Sequence, residues 1–337
     1  MKPVKVTVLM YVFNEWFHLH KAIKSILQQT FSDFEFMIID DCSENNCTIV
    51  INSFDDRRIK FIRNKNYERK VRTLNKAIAL AAGEFIARME PRDIAHPWRL
   101  EKQVFFMQKN TDCGMLGSWI RAIDINGNFL NTTISYGKFL YYLIHFEPYP
   151  YFSAFIFRKN IAVELGCYTN ETLDFNLCKK ISKQYKIWNI DEPLTDIRIN
   201  ASIHFSNPDS IIFFNEMRKE FEVVNGSKVQ DDFVACYMNN FEPVLREKKL
   251  KKIIECIDCF DKVSGNILSM VNCNRQENEI HYCWYEKRKH MLRQISLQLP
   301  LSKSISLLLH YREIKMLLKN SFLLLKNNFK KILSHKK

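Results

Sequence analysis

Apolar residues come in short runs through the first half of the chain, separated by segments of helical period. Residues 4–10 are an apolar, β-branched run that predicts a buried strand. Residues 15–29 follow, with Phe17, Ala22, Ile23, Ile26 and Leu27 spaced as one helical stripe. Residues 34–39 predict a second strand that ends on Asp40-Asp41. A helix over roughly 44–54, a strand over 59–62, a helix over 69–82 and a strand over 84–89 complete the series. This alternation predicts a parallel, doubly wound α/β sheet. Ligands of such sheets sit at the carboxyl ends of strands, and Asn14, Asp41 and Glu90 all fall just past predicted strand ends.

After Asn110 the pattern loosens. Gly117-Ser118, Asp124 and Gly127 suggest short strands and a turn, and short helices are expected over 158–168 and 173–185. From about Asn207 the composition shifts to long polar helices. The expected organisation is an α/β domain over 1–205, a helical extension over 206–310 and a basic tail over 311–337. The 337 residues are 47% hydrophobic, enough for a full core, and 8 Gly with 9 Pro leave little room for flexible linkers. The ten cysteines read as reduced thiols, since Met1-Lys2-Pro3-Val4 leads straight into a strand without a secretory leader. No apolar run reaches the roughly 18 residues of a membrane span. The net charge of +13 points to an anionic partner.

Several motifs carry chemistry. Val8-Leu9-Met10-Tyr11-Val12-Phe13-Asn14-Glu15 ends the first strand, and Ile38-Ile39-Asp40-Asp41-Cys42-Ser43 ends the second. Leu74-Asn75-Lys76-Ala77-Ile78 and Ala82-Gly83-Glu84 precede Met89-Glu90-Pro91-Arg92-Asp93, and Arg99-Leu100 follows. In that order and spacing they resemble glycosyltransferase family 2, the nucleotide-sugar enzymes of the GT-A fold, over residues 4–205. The resemblance implies a Rossmann-like, doubly wound mixed sheet and inverting sugar transfer from a nucleoside diphosphate sugar, a uridine diphosphate sugar first among them. It implies that Asp41 bonds the base or ribose, with a helix N-cap as the alternative reading. Tyr11, Asn14 and Glu15 then line the nucleotide pocket. Arg69 faces the diphosphate or, equally, joins Lys70 and Arg72 as a solvated helix start.

Three positions depart from the family pattern. Relatives carry an Asp-x-Asp pair whose last carboxylate binds a divalent cation, Mn or Mg; here Arg92 stands in that place. An Arg repels a cation but clamps phosphate oxygens through two parallel hydrogen bonds. One reading is metal-independent diphosphate binding by Arg92. In another, Glu90 and Asp93 hold the cation, and in a third donor binding is lost. No residue is assigned as a metal ligand. Thr172 occupies the place of the family's catalytic base, so Glu171 or Asp174 would have to take the acceptor proton. Asn200 replaces a His that assists the metal in relatives.

Cys256-x-x-Cys259, with Cys273 and Cys283, spells a possible zinc site, but the cysteines fit an apolar helical pattern better. In the tail, Ile314, Leu317, Leu318, Phe322, Leu325, Phe329, Ile332 and Leu333 share one helical face. Arg312 and seven lysines against Glu313 leave that segment at +7. A helix of this kind lies on an anionic membrane or packs with a solvated basic face. The expected protein is therefore a cytoplasmic glycosyltransferase, peripheral on the inner face of the membrane, acting on a glycan or lipid-linked acceptor. The alternative is a catalytically degenerate scaffold in a membrane glycan-assembly complex. Nucleic acid is not expected, because no recognised binding motif accompanies the charge.

Overall fold

The structure is a computed structural model. It describes residues 4–44, 46–133, 152–169, 173–198, 208–237, 241–246, 249–270 and 277–311. The chain divides into two compact units between residues 210 and 211.

The first unit alternates strand and helix: β1 (Val6–Val12), α1 (Leu19–Leu27), β2 (Phe34–Asp40), α2 (Cys47–Asn52), β3 (Ile59–Arg63), α3 (Lys70–Leu80) and β4 (Phe85–Met89). A two-residue strand β5 (Ile94–Ala95) and helix α4 (Arg99–Lys109) lead to β6 (Cys113–Ile123) and β7 (Phe129–Thr133). A 3₁₀ turn at Phe152–Ala154 precedes β8 (Ile156–Arg158), α5 (Lys159–Glu164), α6 (Leu173–Ser182) and β9 (Lys186–Arg198). The sheet order is β3-β2-β1-β4-β8-β6-β9-β5, with β7 beside β6. β1, β2, β3 and β4 pair in parallel, while β8 runs antiparallel to β4 and to β6. The sheet is therefore mixed.

All seven residues of β1 and of β2 are buried, as expected of central strands covered on both faces. On one face Val6, Val8, Met10, Phe36 and Ile38 pack with Leu19, Ile23 and Ile26 of α1 and Leu100, Val104 and Met107 of α4. α3 covers the other face and buries Leu74, Ala77 and Ile78. At the amino end of these strands Glu35, 3% exposed, accepts hydrogen bonds from Thr7 Oγ1 (2.6 Å) and Ala82 N (2.7 Å) and pairs with Lys60. Gly83 N donates to Thr7 Oγ1 at 2.9 Å. A Cβ on Gly83 would lie 2.6 Å from the Val6 carbonyl carbon and closer still to Thr7 N, so only glycine allows this approach.

Two elements differ from their sequence expectation. α1 starts at Leu19 rather than near Glu15, and Phe17, placed by spacing on the buried stripe, is 72% exposed. Asn14 takes a φ of 56° and accepts from Glu44 N (2.9 Å), while its own N–H donates to Ser43 Oγ (2.9 Å). Those bonds fold the chain along the sheet edge before the helix begins. Second, the glycine-marked stretch after Asn110 is one eleven-residue strand, β6. Gly114 and Gly117 sit in it because Ile181 and Tyr185, and Asn189 and Phe155, occupy the space a side chain would need.

The second unit is helical: α7 (Pro208–Asn225), α8 (Asp231–Tyr237), α9 (Glu242–Leu245), α10 (Leu250–Met270), α11 (Glu277–Gln298) and α12 (Leu301–His310). Its buried residues include Phe221, Phe233, Ile253, Ile257, Phe260, Met291, Ile295 and Leu308. Cys256 is buried in this set, with the Cys236 thiol as a neighbour. Among the described residues no group of three or more His, Cys, Asp or Glu could hold a metal ion. Cys273 and the tail from Arg312 to Lys337 lie outside the described residues. No helix among the described residues is long and apolar enough to cross a membrane.

Candidate active site

The carboxyl ends of β1, β2 and β4 bring Asn14, Asp41 and Glu90 to one edge of the sheet. β1 and β2 are in register, so Tyr11 lies beside Ile39 and Val12 beside Asp40. Asp40 and Asp41 do different work. Asp40 is fully buried and accepts from Ser43 N (2.9 Å) and Thr48 Oγ1 (3.3 Å), with the Arg63 guanidinium 3.5 Å away. It, not Asp41, shapes the turn into α2, and α2 begins only at Cys47. The N-cap reading of Asp41 is thereby corrected.

Asp41 is also fully buried and takes three donors. Oδ1 accepts from Asn64 Nδ2 (2.7 Å) and from Glu68 N (2.9 Å), and Oδ2 accepts from the Tyr11 hydroxyl (3.1 Å). Asn64 also donates to Thr73 Oγ1 (3.0 Å) and accepts from Lys76 Nζ (2.7 Å). Burial, with the Asp41 charge beside it, pushes the Tyr11 phenol well above its usual range. This network fixes the loop from Asn64 to Arg69. Tyr67 at its tip is 54% exposed and stacks on Phe13, ring centroids 4.6 Å apart. Arg69 closes the loop, exposed, with φ 69° and ψ 153°. A non-glycine residue in that region stores strain of about 1–3 kcal/mol.

The turn after β4 carries the altered Asp-x-Asp segment. The Glu90 side chain is 13% exposed and bonds Arg88 (2.9 Å) and Lys70 (3.2 and 3.3 Å). Arg88 projects from inside β4, fully buried, and also donates to the Leu9 carbonyl (3.2 Å). Burial alone would raise the Glu90 carboxyl; Lys70, Arg88 and Arg92 together hold it below its ordinary value. Lys70 Nζ stands 5.5 Å over the Tyr11 ring, joining the two halves of the edge.

Asp93 is turned inward. Its Oδ2 accepts from Ser153 Oγ (2.6 Å) and its Oδ1 from Arg198 N (2.9 Å), and desolvation pushes its pKa up to about 6. Ser153 Oγ in turn accepts from Glu90 N (2.8 Å), and Arg198 Nε donates to the Arg92 carbonyl (3.1 Å). Arg99, of the Arg-Leu pair, is not a site residue. Its buried guanidinium bonds the Arg88 and Phe155 carbonyls (2.8 and 3.2 Å), and desolvation pulls its pKa down to about 9.

Arg92 is exposed, and among the described residues its guanidinium makes no hydrogen bond or ion pair. Its charge nonetheless bears on Glu15, His18, Glu90 and Asp93. Those groups lie on the loops that follow β1 and β4, so the Arg92 charge acts at that edge. Glu15 touches water, yet the surrounding protein desolvates it and raises its pKa. Glu90 adds to that shift, and Arg92 and Lys70 offset it.

The reading of Glu90 and Asp93 as a cation site does not fit this arrangement. A hard cation needs several free carboxylate oxygens. Asp93 is 3% exposed with an internal donor on each oxygen, and Glu90 is held by two cations. On the acceptor side, Asn75 on α3 exchanges two hydrogen bonds with the Tyr168 backbone (2.7 and 3.0 Å), fixing the loop of Gly166 and Cys167. Glu171, Thr172 and Asn200 lie outside the described residues. Asp174 falls in the first turn of α6. Lys70, Arg88, Asn64 and Glu68 join the site without having been singled out by motif. A charged residue inside an apolar strand, as in Ile86-Ala87-Arg88-Met89, was the available signal for Arg88.

Comparison with solved structures supports the fold. Staphylococcus aureus TarS 1–349 in complex with UDP-GlcNAc superposes with a TM-score of 0.54 over 92% of both chains, at 15% identity. The Pyrobaculum calidifontis mannosyltransferase PcManGT, in complex with GDP-Man and Mn2+, gives 0.53 over 91% of this chain and 86% of its own, at 11% identity. Both match the mixed GT-A sheet. An uncharacterised glycosyltransferase of Methanocaldococcus jannaschii is 40% identical over 133 residues, 38% of this chain and 46% of the relative. The Escherichia coli UDP-Glc:alpha-D-GlcNAc-diphosphoundecaprenol beta-1,3-glucosyltransferase WfgD is 32% identical over 143 residues, 42% of this chain and 56% of the relative. The chain thus spans about half the length of the curated relatives it matches. The sequence model of Glycosyl transferase family 2 matches residues 7–181, just over half of the chain. With its strand-end acids, the Arg99-Leu100 pair and the GT-A sheet all in place, this chain belongs to glycosyl transferase family 2.

Proposed function

We propose that the chain transfers a sugar from a nucleoside diphosphate donor to a hydroxyl of a glycan or lipid-linked acceptor, with inversion. The observation that carries this reading is the sheet edge where Tyr11, Lys70 and Glu90 meet beside the guanidinium of Arg92, which has no partner among the described residues. Anionic donors suit such an edge. Uridine diphosphate sugars are the first choice, supported by the UDP-GlcNAc complex of TarS and the glucosyl donor in the name of WfgD. The latter name also supports a lipid-linked diphosphate acceptor. In the transfer, the acceptor oxygen bonds the anomeric carbon as the bond from that carbon to the β-phosphate oxygen breaks. The nucleoside diphosphate leaves with the electron pair, and a carboxylate takes the acceptor proton. Glu171 or Asp174 is assigned that proton, since Thr172 cannot take it.

In this reading Tyr11, Phe13, Asn14 and Glu15 line the nucleotide side, and Asp41 holds those walls through Tyr11 and the loop ending at Arg69. A peripheral position on the cytoplasmic face of a membrane, through residues 311–337, completes it. A second reading, a binding protein without turnover, draws on Thr172 and on the altered Asp-x-Asp segment. Incubation with a panel of nucleotide sugars and polyprenyl-linked acceptors, followed by release of nucleoside diphosphate, separates the two. Release with any donor supports transfer. Tight nucleotide binding without release, with and without acceptor, supports the second reading.

A further inference from the structure

Resting on the proposed transfer, the geometry points to a donor site that grips the diphosphate without a divalent ion, Arg92 bridging the phosphate oxygens where relatives place a metal. Three observations converge. First, the carboxylates needed for a cation are engaged: Glu90 by Arg88 and Lys70, Asp93 by Ser153 and the Arg198 amide. Second, three cations, Lys70, Arg88 and Arg92, act together on Glu90. A divalent ion placed against that carboxylate meets repulsion from all three, whereas a diphosphate is attracted by them. Third, Arg92 has no protein acceptor among the described residues, so five N–H donors are available to a ligand.

The backbone beneath Arg92 is already fixed. Glu90 N is held by Ser153, the Arg92 carbonyl by Arg198 and the Asp93 carboxyl by both. The guanidinium therefore needs only side-chain rotation to reach two phosphate oxygens, the bidentate geometry at which Arg outperforms Lys. Lys70, poised between Glu90 and the Tyr11 ring, supplies the second cation.

Titration calorimetry with UDP on the full chain tests this, once in EDTA and once in excess MnCl2. The expected result is a Kd that agrees within about threefold between the two conditions. Arg92→Ala weakens binding by about 10–100-fold in both, the range for charge-assisted hydrogen bonds, and Arg92→Lys recovers only part. Because Arg92 is exposed and has no partner among the described residues, its variants keep the parent melting temperature, which separates lost binding from lost folding. UDP binding that needs manganese, or an Arg92→Ala variant that binds UDP like the parent, overturns the inference and leaves transfer standing. Binding of neither UDP nor, in a parallel titration, GDP in either condition overturns both.

Discussion

Replacing Asp41 distinguishes a residue that touches the nucleotide from one that holds the pocket walls. Asp41→Ala removes the acceptor for three donors. Asn64 Nδ2 keeps Thr73 as a partner at 3.0 Å, so the Tyr11 hydroxyl and the Glu68 amide carry most of the loss. A buried donor left without a partner costs about 1–3 kcal/mol. Tyr11 is 8% exposed and Glu68 half-buried, and the two donors together cost about 3 kcal/mol. For a unit of this size that lowers the melting temperature by about 6–12 °C. Asp41→Asn keeps one oxygen for Asn64 and Glu68 and presents an amide to the Tyr11 hydroxyl, which can turn to accept. Its cost is about 1 kcal/mol or less. Differential scanning calorimetry reads both values, and calorimetric titration of Asp41→Asn with UDP reads the site. A Kd within about threefold of the parent is expected if Asp41 acts through its walls; a direct charged contact would cost about tenfold or more. Equal destabilisation by Ala and Asn, or a loss below about 1 kcal/mol for Ala, refutes the hydrogen-bond reasoning.

Further outcomes follow from single residues. Asp93 binds its proton more tightly folded than unfolded, with a pKa of about 6 against the usual carboxylate value. Its contribution is therefore most favourable below about pH 4, declines as pH rises to about 6 and is flat above, a span of about 2–3 kcal/mol. Urea denaturation at several pH values should show Asp93→Asn losing this slope relative to the parent. Gly83→Ala forces a methyl into the β1 backbone and should cost about 3 kcal/mol or more, read as a shifted denaturation midpoint; a neutral outcome would mean β1 yields freely. Arg69→Gly relieves a backbone conformation suited to glycine and should raise stability by about 1 kcal/mol in the same assay.

Much of this was legible in the chain. β1, β2 and β4 are apolar runs because both faces of a central strand are covered, and each ends on the polar residue that the fold delivers to one edge. Two kinds of information were not local. Gly117-Ser118 suggests short strands and a turn, yet Gly117 lies in a long strand that needs room for Asn189 and Phe155, neighbours distant in sequence. Phe17 fits the helical stripe by spacing, but Asn14 bonds to the β2 loop and delays the helix. The same limit applies to Asp40 and Asp41. Their adjacency in sequence hides that one braces its own turn while the other braces a loop more than twenty residues on. Lys70 was hidden for a related reason, since it reaches Glu90 from the start of α3, twenty residues away in sequence.

The turn at Glu90–Asp93 is anchored through the amide of one residue, the carbonyl of another and the carboxyl of a third, and none of those ties uses the side chain of residue 92. Its identity is thus decoupled from the integrity of the scaffold. Acid can give way to base at that one position without disturbing the bonds that hold the turn, and so without a compensating change in the core.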